Sequence, residues 1–124
     1  GKEYFPDGQD TEVFKFKLLE EAWNIAKLPS EREHVTPYIR TNLNNIYSNF
    51  SYECDTNYNK IRMTVDTQED FDAVEVLINE LGTEASWSEY TNYIINYPEK
   101  FTNQQIMRNE GYQKSLIEDK KTKK

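Results

Sequence analysis

Residues 61–71 constrain the fold of this chain more than any other stretch, because they read as a strand that turns directly into a helix. Ile61, Met63 and Val65 alternate as a half-buried strand does. Thr67, with Asp70 three positions on, forms an N-terminal capping pattern. Phe71, Val74, Leu77, Ile78 and Leu81 then recur at helical spacing, and Gly82 follows as a left-handed stop. The chain therefore turns just after Asp66. In open α/β sheets ligands bind outside the carboxyl ends of strands, which is where Asp66 stands. Asp is also frequent at such junctions because it caps helices, so this segment alone supports both a ligand-binding and a capping Asp66.

The 124 residues are enough for one domain with a core, and few for a complete α/β enzyme. Apolar residues make up 36% and mean hydropathy is -0.93, while aromatics reach 14% with nine Tyr and six Phe. Aromatic rather than aliphatic side chains must carry much of the burial. So little apolar surface suggests a part of a larger fold, or an oligomer. A formal charge of -7 and a pI near 4.8 argue against nucleic acid and against an anionic membrane as partners. The basic run Lys120, Lys121, Lys123 and Lys124 reads as a solvated tail. Cys54 is the single cysteine, which excludes an internal disulfide, fits a reducing cytoplasm and suggests a small core residue. No stretch approaches the ~20 apolar residues of a membrane span, and Gly1, Lys2 and Glu3 do not open a signal peptide. Without a secretory signal the sequon at Asn49 carries little weight.

Along the chain, Pro6, Asp7 and Gly8 mark a turn, and residues 11–16 read as a short extended segment. Leu18, Leu19, Ala22, Trp23, Ile25 and Ala26 form the apolar face of a helix that must stop before Pro29. Residues 30–34 are a charged turn or short helix, and Pro37 limits the next helix to a first turn or a restart. Residues 46–54 alternate well enough to be a strand, which could pair with the Asp66 strand as a hairpin. Ser86 and Glu89 form a capping box before an aromatic stripe of Trp87, Tyr90, Tyr93, Ile94 and Tyr97. Thr102 with Gln105 repeats the capping pattern, after which Asn109, Gly111 and the lysines loosen the helix.

Several chemistries are excluded. The four glycines, at 1, 8, 82 and 111, build no phosphate-cradling loop. One Cys and one His make no zinc box, and His34 would be the only base for a nucleophilic triad. Carboxylate chemistry remains: Glu12 and Asp66 suit a hard cation such as Mg²⁺, which takes oxygen ligands. Arg32, Glu33 and His34 could hold a sugar or a carboxylate, or simply pair with one another in a solvated turn.

Four blocks, in order, resemble one family. They are Phe5-Pro6-Asp7-Gly8-Gln9-Asp10-Thr11-Glu12-Val13-Phe14, Glu31-Arg32-Glu33-His34-Val35-Thr36-Pro37-Tyr38-Ile39, Arg62-Met63-Thr64-Val65-Asp66-Thr67-Gln68-Glu69-Asp70 and Asn109-Glu110-Gly111-Tyr112-Gln113-Lys114-Ser115-Leu116. Together they resemble the C-terminal half of cytidylyltransferases of the spore-coat-polysaccharide type, relatives of the acylneuraminate enzymes. The resemblance implies an α/β fold, the C-terminal portion of a Rossmann-like nucleotide-diphospho-sugar transferase with a short mixed sheet flanked by helices. Residues 1–100 would be that half, and residues 101–124 a helical extension with a basic tail. It also implies transfer from CTP to a sugar, with Mg²⁺ held by Asp66 and with Glu12, Arg32, Glu33 and His34 lining the acceptor side. The family's basic nucleotide-binding loop is absent from the sequence, so the chain resembles a piece that lacks the N-terminal half and is incomplete as a catalyst. Gln68 stands where the family usually has proline. The expected partners are CTP, a sugar, the missing half and a second copy of the chain. The rival expectation is a non-catalytic interaction or oligomerisation module built on the same fold, and a weaker one is a glycosyltransferase-like sugar binder.

Overall fold

The computed structural model describes residues 4–41, 46–108 and 110–122. They form two compact units, each assembled from two separated stretches of chain: residues 1–11 with 51–108, and residues 12–50 with 109–124.

The first unit contains α4 (Gln68–Leu81), α5 (Trp87–Asn96) and two short 3-10 turns, Pro98–Lys100 and Thr102–Gln105. Both helices start as their capping patterns require: Thr67 Oγ1 accepts from the Asp70 amide at 3.3 Å, and Ser86 Oγ accepts from the Glu89 amide at 3.3 Å. Gly82 ends α4 with a φ of 76°, a left-handed value that glycine adopts without strain. Ala73, Leu77, Ile94 and Phe101 form the core of this unit, with Ile61, Met63, Val76, Tyr90 and Tyr93 packed on it. The aromatic stripe of α5 is thus a packing face. The buried side of α4 is rotated from its hydrophobic stripe, since Phe71 and Ile78 are exposed while Asp70 is fully buried. Asp70 is drawn inward by an ionic partner, described below, and the helix turns with it.

The expected mixed sheet is not found among the described residues, where the β-pairing is an isolated parallel bridge between Asp7 and Arg62. The Asp7 amide donates to the Ile61 carbonyl at 2.8 Å and the Met63 amide to the Asp7 carbonyl at 2.7 Å. Gly8, with a φ of 95°, allows this approach, because a Cβ there would lie 2.8 Å from the Met63 carbonyl carbon. The ladder stops there for a physical reason: side chains and turns take the backbone groups a further strand would need. The Gln104 carboxamide accepts from the Arg62 amide at 2.9 Å and donates to the Arg62 carbonyl at 2.8 Å, as a neighbouring strand would. On the other segment, Arg108 donates to the Phe5 carbonyl, Gln9 to the Pro6 carbonyl, and Pro6 has no amide hydrogen. The strand expected at 46–54, its hairpin, and the extended segment at 11–16 are likewise absent as regular strands; Phe16 already begins a helix. Cys54 is half-buried rather than a core residue.

The second unit contains α1 (Phe16–Ile25), α2 (Pro29–Glu33), α3 (Pro37–Thr41) and α6 (Glu110–Thr122). Proline opens α2 and α3, where its missing amide hydrogen is harmless. The Thr102 pattern yields only a 3-10 turn, and the chain forms a full helix, α6, over Gly111, Lys114, Lys120 and Lys121, all expected to loosen it; Asn109, Lys123 and Lys124 lie outside the described residues. The polar bonds joining α6 to α2 explain this outcome. The Ser30 amide and hydroxyl donate to the Asp119 carboxylate at 2.9 and 2.6 Å, a buried linkage between residues far apart in sequence. Tertiary bonding overrides the weak local propensity.

Candidate functional site

Asp66 sits one residue before the N-cap of α4, at the mouth of the helix as foreseen, although the strand expected over residues 61–65 is reduced to the isolated bridge at Arg62. Its carboxylate is 70% exposed, and its Oδ2 accepts from Arg62 Nη2 at 2.9 Å and from Thr64 Oγ1 at 3.3 Å. Beneath it lies an ionic cluster. Arg62 is buried and makes a two-pronged pair with the fully buried Asp70, Nε to Oδ1 at 2.9 Å and Nη2 to Oδ2 at 2.8 Å. Asn103, also buried, donates to Asp70 Oδ1 at 2.9 Å, and the Asp66 and Thr67 amides donate to Asp70 Oδ2 at 3.0 and 3.2 Å. Asp70 therefore pairs with Arg62, caps α4 and fixes the turn that carries Asp66. Hydrogen bonds from Arg62, opposed by burial and reinforced by Asn103, hold its carboxyl well below the usual carboxylate range.

Asp7 lies on the other side of Arg62, with its Oδ2 3.5 Å from Nη1, and its Oδ1 is 3.7 Å from Arg108 Nε. Burial pushes its carboxyl above the ordinary value, against the pull of the Arg108 and Arg62 guanidiniums. Arg108 Nη2 also donates to Asp10 at 2.9 Å. These groups border a cleft of about 310 Å³ lined by Asp7, Lys60, Arg62, Gln104 and Arg108 among others.

The remaining expected site residues all lie in the second unit. Glu12 accepts from the Thr36 hydroxyl and pairs with Arg40 at 3.4 Å. Arg32 is exposed, stacks its guanidinium 4.2 Å from the centre of the Trp23 ring and donates to the Trp23 carbonyl at 2.8 Å. Glu33 and His34 come together on α6: Ser115 Oγ donates to Glu33 Oε2 and lies 3.0 Å from His34 Nε2, while the His34 ring packs edge-on against Tyr112. Between His34 and Thr36 the chain makes a γ-turn, the Thr36 amide donating to the His34 carbonyl at 2.7 Å. Its central Val35 has a φ of 67°, a strained value for a β-branched residue. A groove of about 360 Å³ runs beside this turn, lined by Phe16, Leu19, Trp23, Arg32 and Val35 among others.

Reasoning from the sequence missed Arg62, Asp7, Asn103 and Gln104, and took Asp70 for a cap alone. One signal was available. Arg62, Thr64 and Asp66 alternate with the apolar residues and so share one side of the extended segment, which marks a polar face worth explaining.

No group of three or more His, Cys, Asp or Glu side chains among the described residues is arranged to hold a metal ion. Mg²⁺ takes only one or two protein carboxylates when phosphate and water supply the rest. A single exposed carboxylate with one oxygen unclaimed, as in Asp66, suits such a cation. Among the described residues no helix is long and apolar enough to cross a membrane.

No protein-family model matches the chain. A stretch of 66 residues, 52% of the chain, is 46% identical to an uncharacterised protein of Methanocaldococcus jannaschii, covering 27% of that protein. Among solved structures, a cytidylyltransferase from Leptospira borgpetersenii serovar Hardjo-bovis superposes with a TM-score of 0.72 at 34% identity. The match covers 86% of this chain and 44% of the Leptospira enzyme, so the chain spans less than half the length of either protein. Over most of its length this chain is built like part of a cytidylyltransferase.

Proposed function

We propose that the chain is the sugar-side part of a spore-coat-polysaccharide-type cytidylyltransferase, which activates a sugar with CTP in the cytoplasm to supply surface polysaccharide or glycan synthesis. The similarity to the Leptospira cytidylyltransferase over 86% of the chain is the observation that carries this reading. The support of Asp66 by a buried Arg62–Asp70 pair adds to it. In the reaction a sugar hydroxyl oxygen bonds to the α-phosphorus of CTP. The bond from that phosphorus to the β-phosphate oxygen breaks, pyrophosphate leaves, and the hydroxyl proton passes to solvent or a base.

Asp66 holds Mg²⁺ in this reading, and the ion, when bound, neutralises triphosphate charge. Arg62 and Thr64 keep the Asp66 carboxylate in place. Glu12, Arg32, Glu33 and His34 contribute contacts to the acceptor sugar, with the exposed Arg32 suited to a sugar carboxylate. The partners are CTP, a sugar, a nucleotide-binding half and a second copy of the chain.

Because the chain has no basic phosphate-binding loop, it should release no pyrophosphate from CTP, Mg²⁺ and 2-keto sugars above a protein-free control. Joined to a nucleotide-binding half it should turn over. In that longer protein Asp66→Asn should keep the fold and lose about 100-fold or more in rate, the scale of one lost electrostatic contact to a transition state. Turnover by the chain alone would overturn the incompleteness, and an unchanged rate in the variant would reduce Asp66 to an exposed ion-pair partner of Arg62.

A further inference from the structure

An Asp carboxylate that is 70% exposed ordinarily samples several staggered χ1 wells. At Asp66 two donors, Arg62 Nη2 at 2.9 Å and Thr64 Oγ1 at 3.3 Å, converge on the same oxygen, Oδ2. The stronger donor is itself immobile. Arg62 is buried, its Nε and Nη2 are locked onto Asp70, and Asp70 is in turn held by Asn103 and two backbone amides. Nη2 alone bridges the two carboxylates, at 2.8 Å to Asp70 and 2.9 Å to Asp66. An unbroken chain of bonds thus runs from the interior at Asn103 to the exposed carboxylate.

We propose that Arg62 is a positioning residue for Asp66: it anchors Oδ2, holds the side chain in one rotamer and presents Oδ1 as the oxygen for a hard cation. The cation clause rests on the function proposed above; the anchoring stands on the geometry alone. The fork of the guanidinium is essential, because Nε and Nη2 together fix the planar group on Asp70 and so aim the second Nη2 hydrogen at Asp66, whereas a lysine ammonium keeps the charge against Asp70 but rotates freely and holds no such direction. Monodentate presentation also leaves the remaining coordination positions of the cation to phosphate and water, the arrangement Mg²⁺ favours.

The test uses solution NMR on this chain. Hα–Hβ couplings of Asp66 should report a single χ1 rotamer in the wild type and averaging in Arg62→Lys. Mn²⁺ titrated alone, as the probe, should broaden the Asp66 and Thr67 amide signals, and the broadening per added Mn²⁺ should fall about threefold in Arg62→Lys, the statistical loss on freeing three staggered wells. A purely structural arginine would change neither the rotamer nor the broadening in a folded variant. Averaged couplings in the wild type overturn the proposal without any variant, as does a single rotamer retained in folded Arg62→Lys. A rotamer that is fixed in the wild type and released by Arg62→Lys supports the positioning role. If Mn²⁺ then fails to broaden the wild-type signals, the metal assignment of Asp66 falls while the anchoring stands.

Discussion

At the scale of single residues, Asp70 organises the first unit. It is a fully buried carboxylate that serves as partner of Arg62, as acceptor for the turn amides and as the N3 member of a capping box. Removing it leaves the Arg62 guanidinium buried with only partial compensation from Asp7 and Asp66, so Asp70→Ala should destabilise the chain by about 3–5 kcal/mol. The pH dependence has a definite sign. A carboxyl held below its unfolded value contributes stability that is fully present above about pH 5 and is lost as pH falls through and below the ordinary Asp range near 3.9. Asp7 works the other way: raised by burial, it favours the folded state only while protonated, and that contribution is lost as pH rises through its folded value. Asp70 has much the stronger displacement. Urea midpoints should therefore drop between pH 5 and pH 3 in the wild type and drop much less in Asp70→Asn; parallel slopes for the two proteins would contradict the assignment.

At the scale of elements, capping rules placed the starts of α4 and α5 correctly, because a cap is a contract between residues three apart. The paired segments obey longer-range rules. Gln104, 42 residues from Arg62, satisfies both the amide and the carbonyl of that residue and so closes an edge that alternation alone would leave open. Gln104→Ala should cost about 1–3 kcal/mol, since two partly buried backbone groups lose their partners. It should also promote self-association, because an uncapped edge is a template for another strand. Urea denaturation paired with light scattering would show both effects, and a variant as stable and as monodisperse as the wild type would mean that another group closes this edge.

The whole molecule consists of two units with unequal interiors. In the first, Ala73, Leu77, Ile94 and Phe101 form a buried apolar cluster backed by tyrosines, whereas in the second the buried positions include Ser30, Ser115 and Asp119 beside Ala22 and Ile39. Local opening follows apolar contact density. Native-state hydrogen exchange should therefore protect α4 and α5 longer than α1 and α6, and equal protection across the four helices would refute the ranking. The sequence by itself determined what depends on near neighbours: the helix from Thr67 to Gly82, its twin after Ser86, the end of α1 before Pro29, the helical restart at Pro37, and Asp66 at the mouth of α4. Resemblance of four short blocks pointed to the cytidylyltransferase likeness seen in the Leptospira structure. Tertiary structure alone decided which way α4 faces and how α6 becomes a helix. It also brought Asp7, Asn103 and Gln104 to Arg62, and Ser115 to Glu33 and His34. Each of those outcomes turns on a buried polar group that must find a partner distant in sequence, and periodicity carries no record of which partner it finds.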